Sequence, residues 1–215
     1  QIDKSSLFGV HVADKQVDGA AVLARVKSER DRFVGFVVDT VESWPAEHRI
    51  RGRAVFVGPG ELQIDDHTRV LADRVVIAAG SRPAVPPPWQ DLGDRLLVND
   101  DIFQWDELPE SIAVVGTGVI GMELAQALSR LGVRTHLIGV GNRFGPVTDP
   151  AINDAVGAML SAELTLSADA KVERVSRIGN GVSVIYQENG QSHSLEVDYL
   201  LAATGRRSNL ESLNL

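Results

Sequence analysis

Cysteine is missing altogether from the 215 residues. Its absence excludes a disulfide scaffold, cysteine-ligated zinc and any thiol chemistry performed by this chain. Basic residues are in the minority: 21 Lys and Arg stand against 29 Asp and Glu, a net charge of −8. Nothing in that balance offsets repulsion from phosphates, so neither a nucleic acid nor an anionic membrane is an expected partner. The deficit is local, since residues 54–111 carry 4 basic and 11 acidic side chains while residues 1–53 are close to neutral. No apolar run reaches the roughly 18–20 residues that span a bilayer, and no signal-peptide pattern opens the sequence. A Gly-x-Ser-x-Gly elbow and a Walker loop are also missing. The five histidines, His11, His48, His67, His136 and His193, show no ligand spacing, and no pair of carboxylates is set apart by position. Acid–base, nucleophilic and metal chemistry therefore have no visible seat. What remains is a globular, cytoplasmic protein of one sizeable domain or two small ones.

The residues that are present fall into two patterns. Residues 19–42 predict a long helix, with Val22, Val26, Phe33, Val37 and Val41 on one face. Ala54–Val57, Leu62–Asp65 and Val70–Ala79 then read as a strand meander, punctuated by Gly58-Pro59-Gly60 and Asp65-Asp66-His67. The proline-rich stretch Arg82–Trp89 can continue neither a helix nor a central strand and marks a domain junction before Ser111. Beyond it lie a buried strand (Ser111–Val115), a helix (Met122–Leu131) and a second strand (Val133–Ile138). Asp149-Pro150 opens a helix to about Ala162, with Asp as cap and Pro at the first position. Lys171–Arg177, Val182–Gln187 and Ser194–Val197 predict antiparallel strands turned at Gly179-Asn180-Gly181 and Asn189-Gly190, followed by a buried strand at Tyr199–Ala203.

The motif with chemical content is Gly116-Thr117-Gly118-Val119-Ile120-Gly121, a G-x-G-x-x-G that leaves a strand and opens a helix. In such a turn Gly116 allows the tight bend, Gly118 lets a pyrophosphate approach the backbone, and Gly121 lets the helix pack closely. The phosphates meet the free N–H groups at the helix start. An acidic residue that binds the adenosine ribose is expected about 20 positions on, yet Gly139 stands there. Only Arg143 is available for a 2′-phosphate, so the choice between NAD and NADP stays open. Without the carboxylate, NAD(H) is expected to bind less tightly and to be poorly distinguished from NADP(H), with Gly139→Glu restoring the preference. Glu123, placed on the first turn of the helix, reads equally well as a favourable charge at a helix N-terminus or as a contact to the nicotinamide end.

Three segments in order, Val76–Pro83 (VIAAGSRP), Ile112–Leu124 (IAVVGTGVIGMEL) and Leu201–Asn209 (LAATGRRSN), resemble the pyridine nucleotide–disulfide oxidoreductases, above all their dihydrolipoamide dehydrogenase branch. Gly52–Phe56 resembles that family's strand near the FAD adenine, and the resemblance runs over essentially the whole chain. It implies an α/β fold: a Rossmann-like three-layer NAD(P)-binding domain at 112–205, a partial FAD-binding domain at 1–111, and a return toward it at 206–215. It also implies that Gly116–Gly121 hold the pyrophosphate, Glu123 approaches the nicotinamide ribose, Val172 lies near the adenine and Gly205 closes the site. Ala54, Ala79, Gly80 and Ser81 match backbone contacts to FAD. The family's N-terminal FAD fingerprint, Cys-x4-Cys disulfide, Gly-Asp flavin motif and His–Glu pair do not occur, so the chain is expected to be a central piece of a homodimeric flavoenzyme, inactive alone. A glutathione- or mycothione-type reductase, a flavin transhydrogenase and a nucleotide-binding module without chemistry are the other readings.

Overall fold

Asp18 opens the first helix, α1 (Gly19–Glu42), by accepting a hydrogen bond from Ala21 N at 2.9 Å. That cap satisfies one of the four N–H groups left free at a helix start. The computed structural model that shows this describes Ser5, Leu7, Phe8, His11, Val12 and residues 16–215, so most of the opening of the 1–111 segment lies outside the described residues. The first half of α1 is anchored. Leu23 is buried, Lys27 pairs with Asp106 at 2.5 Å, and Arg30 donates to the Phe103 carbonyl at 2.8 Å. Its second half is not: Phe33, Phe36 and Val37 are 60%, 55% and 65% exposed.

β1 (Ala54–Gly58), β2 (Glu61–Ile64) and β3 (Thr68–Leu71) form the antiparallel meander that the alternation predicts. The third strand is shorter than expected. Leu71 pairs with Glu61, the first residue of β2, so beyond Leu71 the partner is exhausted. Residues 74–80 continue outside any strand, and Val76 is 91% exposed.

β4 (Ser81–Pro83) precedes a 3-10 segment (Pro87–Arg95), which leads through β5 (Leu96–Leu97) to α2 (Asn99–Ile102). The prolines end regular structure as expected, yet the connector is not loose. Trp89 and Leu92 are buried, Arg177 donates to the Leu92 carbonyl at 3.1 Å, and its guanidinium pairs with Asp94. β5 also joins the main sheet, upstream of Ser111.

The main sheet is built from β6 (Ser111–Val115), β7 (Arg134–Ile138), β8 (Thr165–Ser167) and β12 (Tyr199–Ala202), with α3 (Val119–Arg130) and α4 (Pro150–Ser161) as crossovers. Its order is β5-β12-β6-β7-β8, and every pairing is parallel. β9 (Ala170–Ile178), β10 (Gly181–Glu188) and β11 (Gln191–Val197) form an antiparallel layer. Three layers result. Ala113 and Val115 of β6 point into one core with Val182, Val184 and Tyr186 of β10, while Ile112 and Val114 point into another with Ala125 and Leu128 of α3 and Leu160 of α4. Burial on both faces is why β6 reads as an unbroken apolar run. Its one polar member, Ser111, is satisfied: its N and Oγ donate to the Asp198 carboxylate at 2.8 and 3.1 Å.

Local signals set two further boundaries. Asp149 Oδ1 accepts from Ile152 N at 3.1 Å and Pro150 is the first residue of α4. Asn189 and Gly190 take φ of 51° and 75°, the positive pair a two-residue hairpin requires. The chain leaves and re-enters the sheet unit at one place. β4 pairs antiparallel with β13 (Arg206–Ser208), Ala84 N donates to Gly205 O at 2.9 Å, and Thr204 Oγ1 donates to Ala84 O at 2.5 Å.

Candidate functional site

The site grows from the end of β6. Gly116 turns the chain with φ of 120°, a conformation L side chains rarely adopt, and its N donates to Ile138 O at 2.8 Å. A Cβ there would lie 2.2 Å from Ala203 O, so β12 leaves no room for one. At Gly121 a Cβ would lie 1.9 Å from Gly116 O and 3.1 Å from Ala203 Cβ, which ties the helix to the turn and to the end of β12. Gly118 differs from both. It is the N-cap of α3, supplies no side-chain cap, and has nothing within 4 Å of where its Cβ would be. The N–H groups of Val119, Ile120 and Gly121 therefore open the helix without a protein acceptor from its cap, above open space, which is the electrostatic requirement for an anion. α3 starts at Val119, earlier than the expected Met122, because Gly118 already serves as cap.

That start moves Glu123. It is the fifth helical residue, beyond the first turn, where the helix dipole has faded, so the reading as a favourable N-terminal charge loses its basis. The carboxylate is exposed on the same end of α3 as Gly118.

The loop after β7 is clamped from several sides. Thr117 Oγ1 donates to Arg143 O at 2.6 Å and Gly145 N donates to Thr117 O at 2.8 Å. Asn153 on α4 accepts from Phe144 N at 3.1 Å and donates to Asn142 O at 2.8 Å, while Asp169 accepts from Gly141 N at 2.7 Å. Gly139 is buried at the root of this loop, with its N donating to Ser167 O at 2.8 Å and its O accepting from Ala170 N at 2.7 Å. Here the sequence expectation needs correction. A Cβ at 139 would stand 2.4 Å from Thr117 Cγ2 and 2.6 Å from Thr117 Oγ1, so Gly139→Glu does not simply restore a ribose carboxylate. The Arg143 side chain is exposed and makes no ion pair among the described residues.

Residues 17–214 match the family described as pyridine nucleotide-disulphide oxidoreductase. The chain belongs to that family. Among its relatives, the mercuric reductase of Staphylococcus aureus is 31% identical over 204 residues, covering 92% of this chain and 37% of the relative. The dihydrolipoyl dehydrogenase of Bacillus subtilis (strain 168) is 27% identical over 222 residues, covering 97% and 47%. The solved structure of the HOCl-induced flavoprotein disulfide reductase RclA from Escherichia coli is similar with a TM-score of 0.73 and 25% identity, over 88% of this chain and 44% of that one. The chain thus spans less than half the length of these relatives.

The remaining family positions are placed as follows. Gly205 follows β12 with φ of 111° and open space beside it, two residues beyond the Ala203 that closes on Gly116 and Gly121. Val172 on β9 packs against the core beside Tyr186, its register partner. Ala54 lies half-buried on β1, opposite Ile64. Ala79, Gly80 and Ser81 are held against the returning chain: Asn209 donates to the Ala79 and Gly80 carbonyls at 3.0 and 3.1 Å, and Arg206 donates to Ser81 O at 2.6 Å. Next to them Arg82 donates twice to Glu211, at 3.1 and 2.7 Å, and holds its carboxyl down at about 2. The structure therefore gathers Gly116–Gly121, Gly139, Arg143 and Gly205 beyond the C-terminal ends of the interior strands β6, β7 and β12. Ala54 and Ala79–Ser81 lie on the β1 and β4 side.

Sequence reasoning missed one polar cluster. His136 Nε2 lies 3.0 Å from Ser167 Oγ, which donates to Glu188 Oε2 at 3.0 Å, and Tyr186 sits between His136 and His193. Burial pushes the His136 imidazole down, and Glu188 pulls the other way. β7, β8, β10 and β11 contribute to it, so no local spacing could reveal it. No group of three or more His, Cys, Asp or Glu among the described residues can hold a metal ion, and no described helix is long and apolar enough to cross a membrane.

Proposed function

We propose that this chain binds a nicotinamide dinucleotide at the β6–α3 turn, as the nucleotide-holding part of a dihydrolipoamide dehydrogenase-like flavoenzyme. One observation carries the reading: α3 begins at a glycine cap with no side chain over it and open space in front, while Gly116 and Gly121 on either side are closed by neighbouring backbone. An uncapped helix start of this shape suits a pyrophosphate. In the division we propose, residues 112–205 bind NAD(P), residues 1–111 form part of an FAD-binding domain, and residues 206–215 turn back to it. The enzyme as a whole is a cytoplasmic homodimer exchanging electrons between a dithiol/disulfide couple and NAD(H).

FAD would supply two-electron exchange between that couple and the nicotinamide C4. The residues present fit its margin only. Ala79 to Ser81 hold their carbonyls in bonds to Asn209 and Arg206, which stiffens this backbone as a fixed wall. This chain's contribution is placement. Gly118 and the free N–H groups of α3 hold the phosphates, Gly205 leaves room beside them, and Glu123 stands on the same helix end to meet the nicotinamide side. Holding both reactants in fixed geometry converts a bimolecular exchange into a unimolecular one. The 215 residues alone contain no cysteine and one G-x-G-x-x-G, so lipoamide turnover and retained flavin are not expected of them.

Gly118→Asp tests the reading. Aspartate is a good N-cap and its side chain meets open space, so the melting temperature should hold or rise. The carboxylate would occupy and repel the phosphate position, and NADH affinity, read by fluorescence titration, should fall about 100-fold. Unchanged affinity would place the dinucleotide elsewhere.

A further inference from the structure

Thr117 lies inside the glycine motif, where its side chain has no role in the turn itself, yet it is 7% exposed and bonded. Its two branches lie where the side chain of residue 139 would start. A Cβ on Gly139 would be 2.4 Å from Cγ2, 2.6 Å from Oγ1 and 3.1 Å from Cβ of Thr117. Rotation does not relieve this. Of the three staggered positions on Thr117 Cβ, the two occupied ones both crowd residue 139, and a branched side chain has two heavy atoms to place. Every χ1 rotamer therefore leaves at least one of them against a residue-139 Cβ. The backbone of Gly139 is not the obstacle, since its φ lies outside the positive range that glycine alone tolerates.

We propose that Thr117 is the specificity-determining residue of the adenosine end of the site: it forces glycine at 139 and fastens the 140–145 loop through its bond to Arg143 O. This rests on the dinucleotide reading above and deepens it. With position 139 reduced to backbone whose N–H and C=O are both bonded within the sheet, no carboxylate can stand at the end of β7 to select the ribose hydroxyls. The pair 117/139 then acts as a unit, and nucleotide preference changes only when both residues change. Serine at 117 keeps one branch, which clears residue 139 only in the third position, where it gives up its bond to Arg143 O.

A double-mutant cycle on the 215-residue chain tests this, with Gly139→Glu, Thr117→Ser and the two combined. Two readouts are taken: melting temperature, and titration with NADH and NADPH separately. Gly139→Glu alone should lower the melting temperature by several degrees and weaken both nucleotides. Thr117→Ser alone should cost little stability. The combination should recover part of the melting temperature lost in Gly139→Glu, the remainder being the bond to Arg143 O, and bind NADH about 10-fold more tightly than the wild type while losing NADPH, as expected for new hydrogen bonds to a charged acceptor. Additive melting shifts, or a gain of NADH affinity in Gly139→Glu alone equal to that in the combination, would overturn the proposal. Coupled melting shifts in a chain that binds neither nucleotide in any variant would overturn the proposed function and the specificity role with it, leaving a purely steric pair.

Discussion

Every side chain of β6 is buried, on one face by β9–β11 and on the other by α3 and α4, whereas Phe33, Phe36 and Val37 in the second half of α1 face solvent. Both elements follow from good local sequence, an apolar strand run in one case and a capped helix in the other. Only the first has found the surface it was patterned for. Phe33, Val37 and Val41 form a stripe at i, i+4 and i+8, and Val75, Val76 and Ile77 are exposed on the segment after β3. Apolar surface in contiguous stripes marks contact with something further. The sheet unit thus buries both faces of its central strand, and the second half of α1 leaves its apolar stripe uncovered.

Glycine to alanine in the two regions should break that contrast most sharply. At Gly121 the added Cβ meets Gly116 O at 1.9 Å, and a loss above about 4 kcal/mol, or failure to fold, is expected by calorimetry. At Gly35 in α1 nothing lies within 4 Å, so alanine should instead gain about 0.5–1 kcal/mol from helix propensity. Equal effects at the two sites would erase the distinction.

Core truncation comes next. Leu200→Ala removes a fully buried side chain of β12 and should cost about 2–5 kcal/mol in urea unfolding, while Phe33→Ser should stay within about 0.5 kcal/mol. The serine change should act on association instead. Light scattering should show the wild-type chain associating and Phe33→Ser/Val37→Ser shifting toward monomer. A strictly monomeric wild type would mean that the α1 face needs no cover.

How much of this contrast could be read beforehand depends on distance along the chain. Asp149-Pro150, Asn189-Gly190 and the glycine motif act within a few residues; the first two set their elements where expected, and the third opened α3 three residues early, at Val119. The two-residue β5, the short β8 and the pairing of β4 with β13 depend on partners up to more than a hundred positions away, and no local signal announces them. The period of α1 was legible; which part of its face would be covered was not, because coverage is a property of neighbours. The same holds at the site. Gly139 could be named as lacking a carboxylate, but its contact with Thr117 exists only once β6 and β7 lie side by side.

The smallest expected effect concerns Glu211. Its folded pKa of about 2 lies below its unfolded value, so its bonds to Arg82 add stability that is present above pH 4.5 and is lost as the pH falls through 2. Both groups are exposed and the effect is local. Acidification in that window should raise amide exchange at Arg206–Ser208 in the wild type, and Glu211→Gln should remove the pH dependence.

The paired crossing at Ala84 and Gly205 has a genetic consequence. Everything between those residues leaves and returns through adjacent, hydrogen-bonded points, which is the geometry of an inserted cassette. Units whose ends touch tolerate transplantation and circular permutation, because joining the ends needs no new span of chain. The contacts that such a transfer would have to replace are those of the first half of α1, which rests on Phe103 and Asp106 inside the unit.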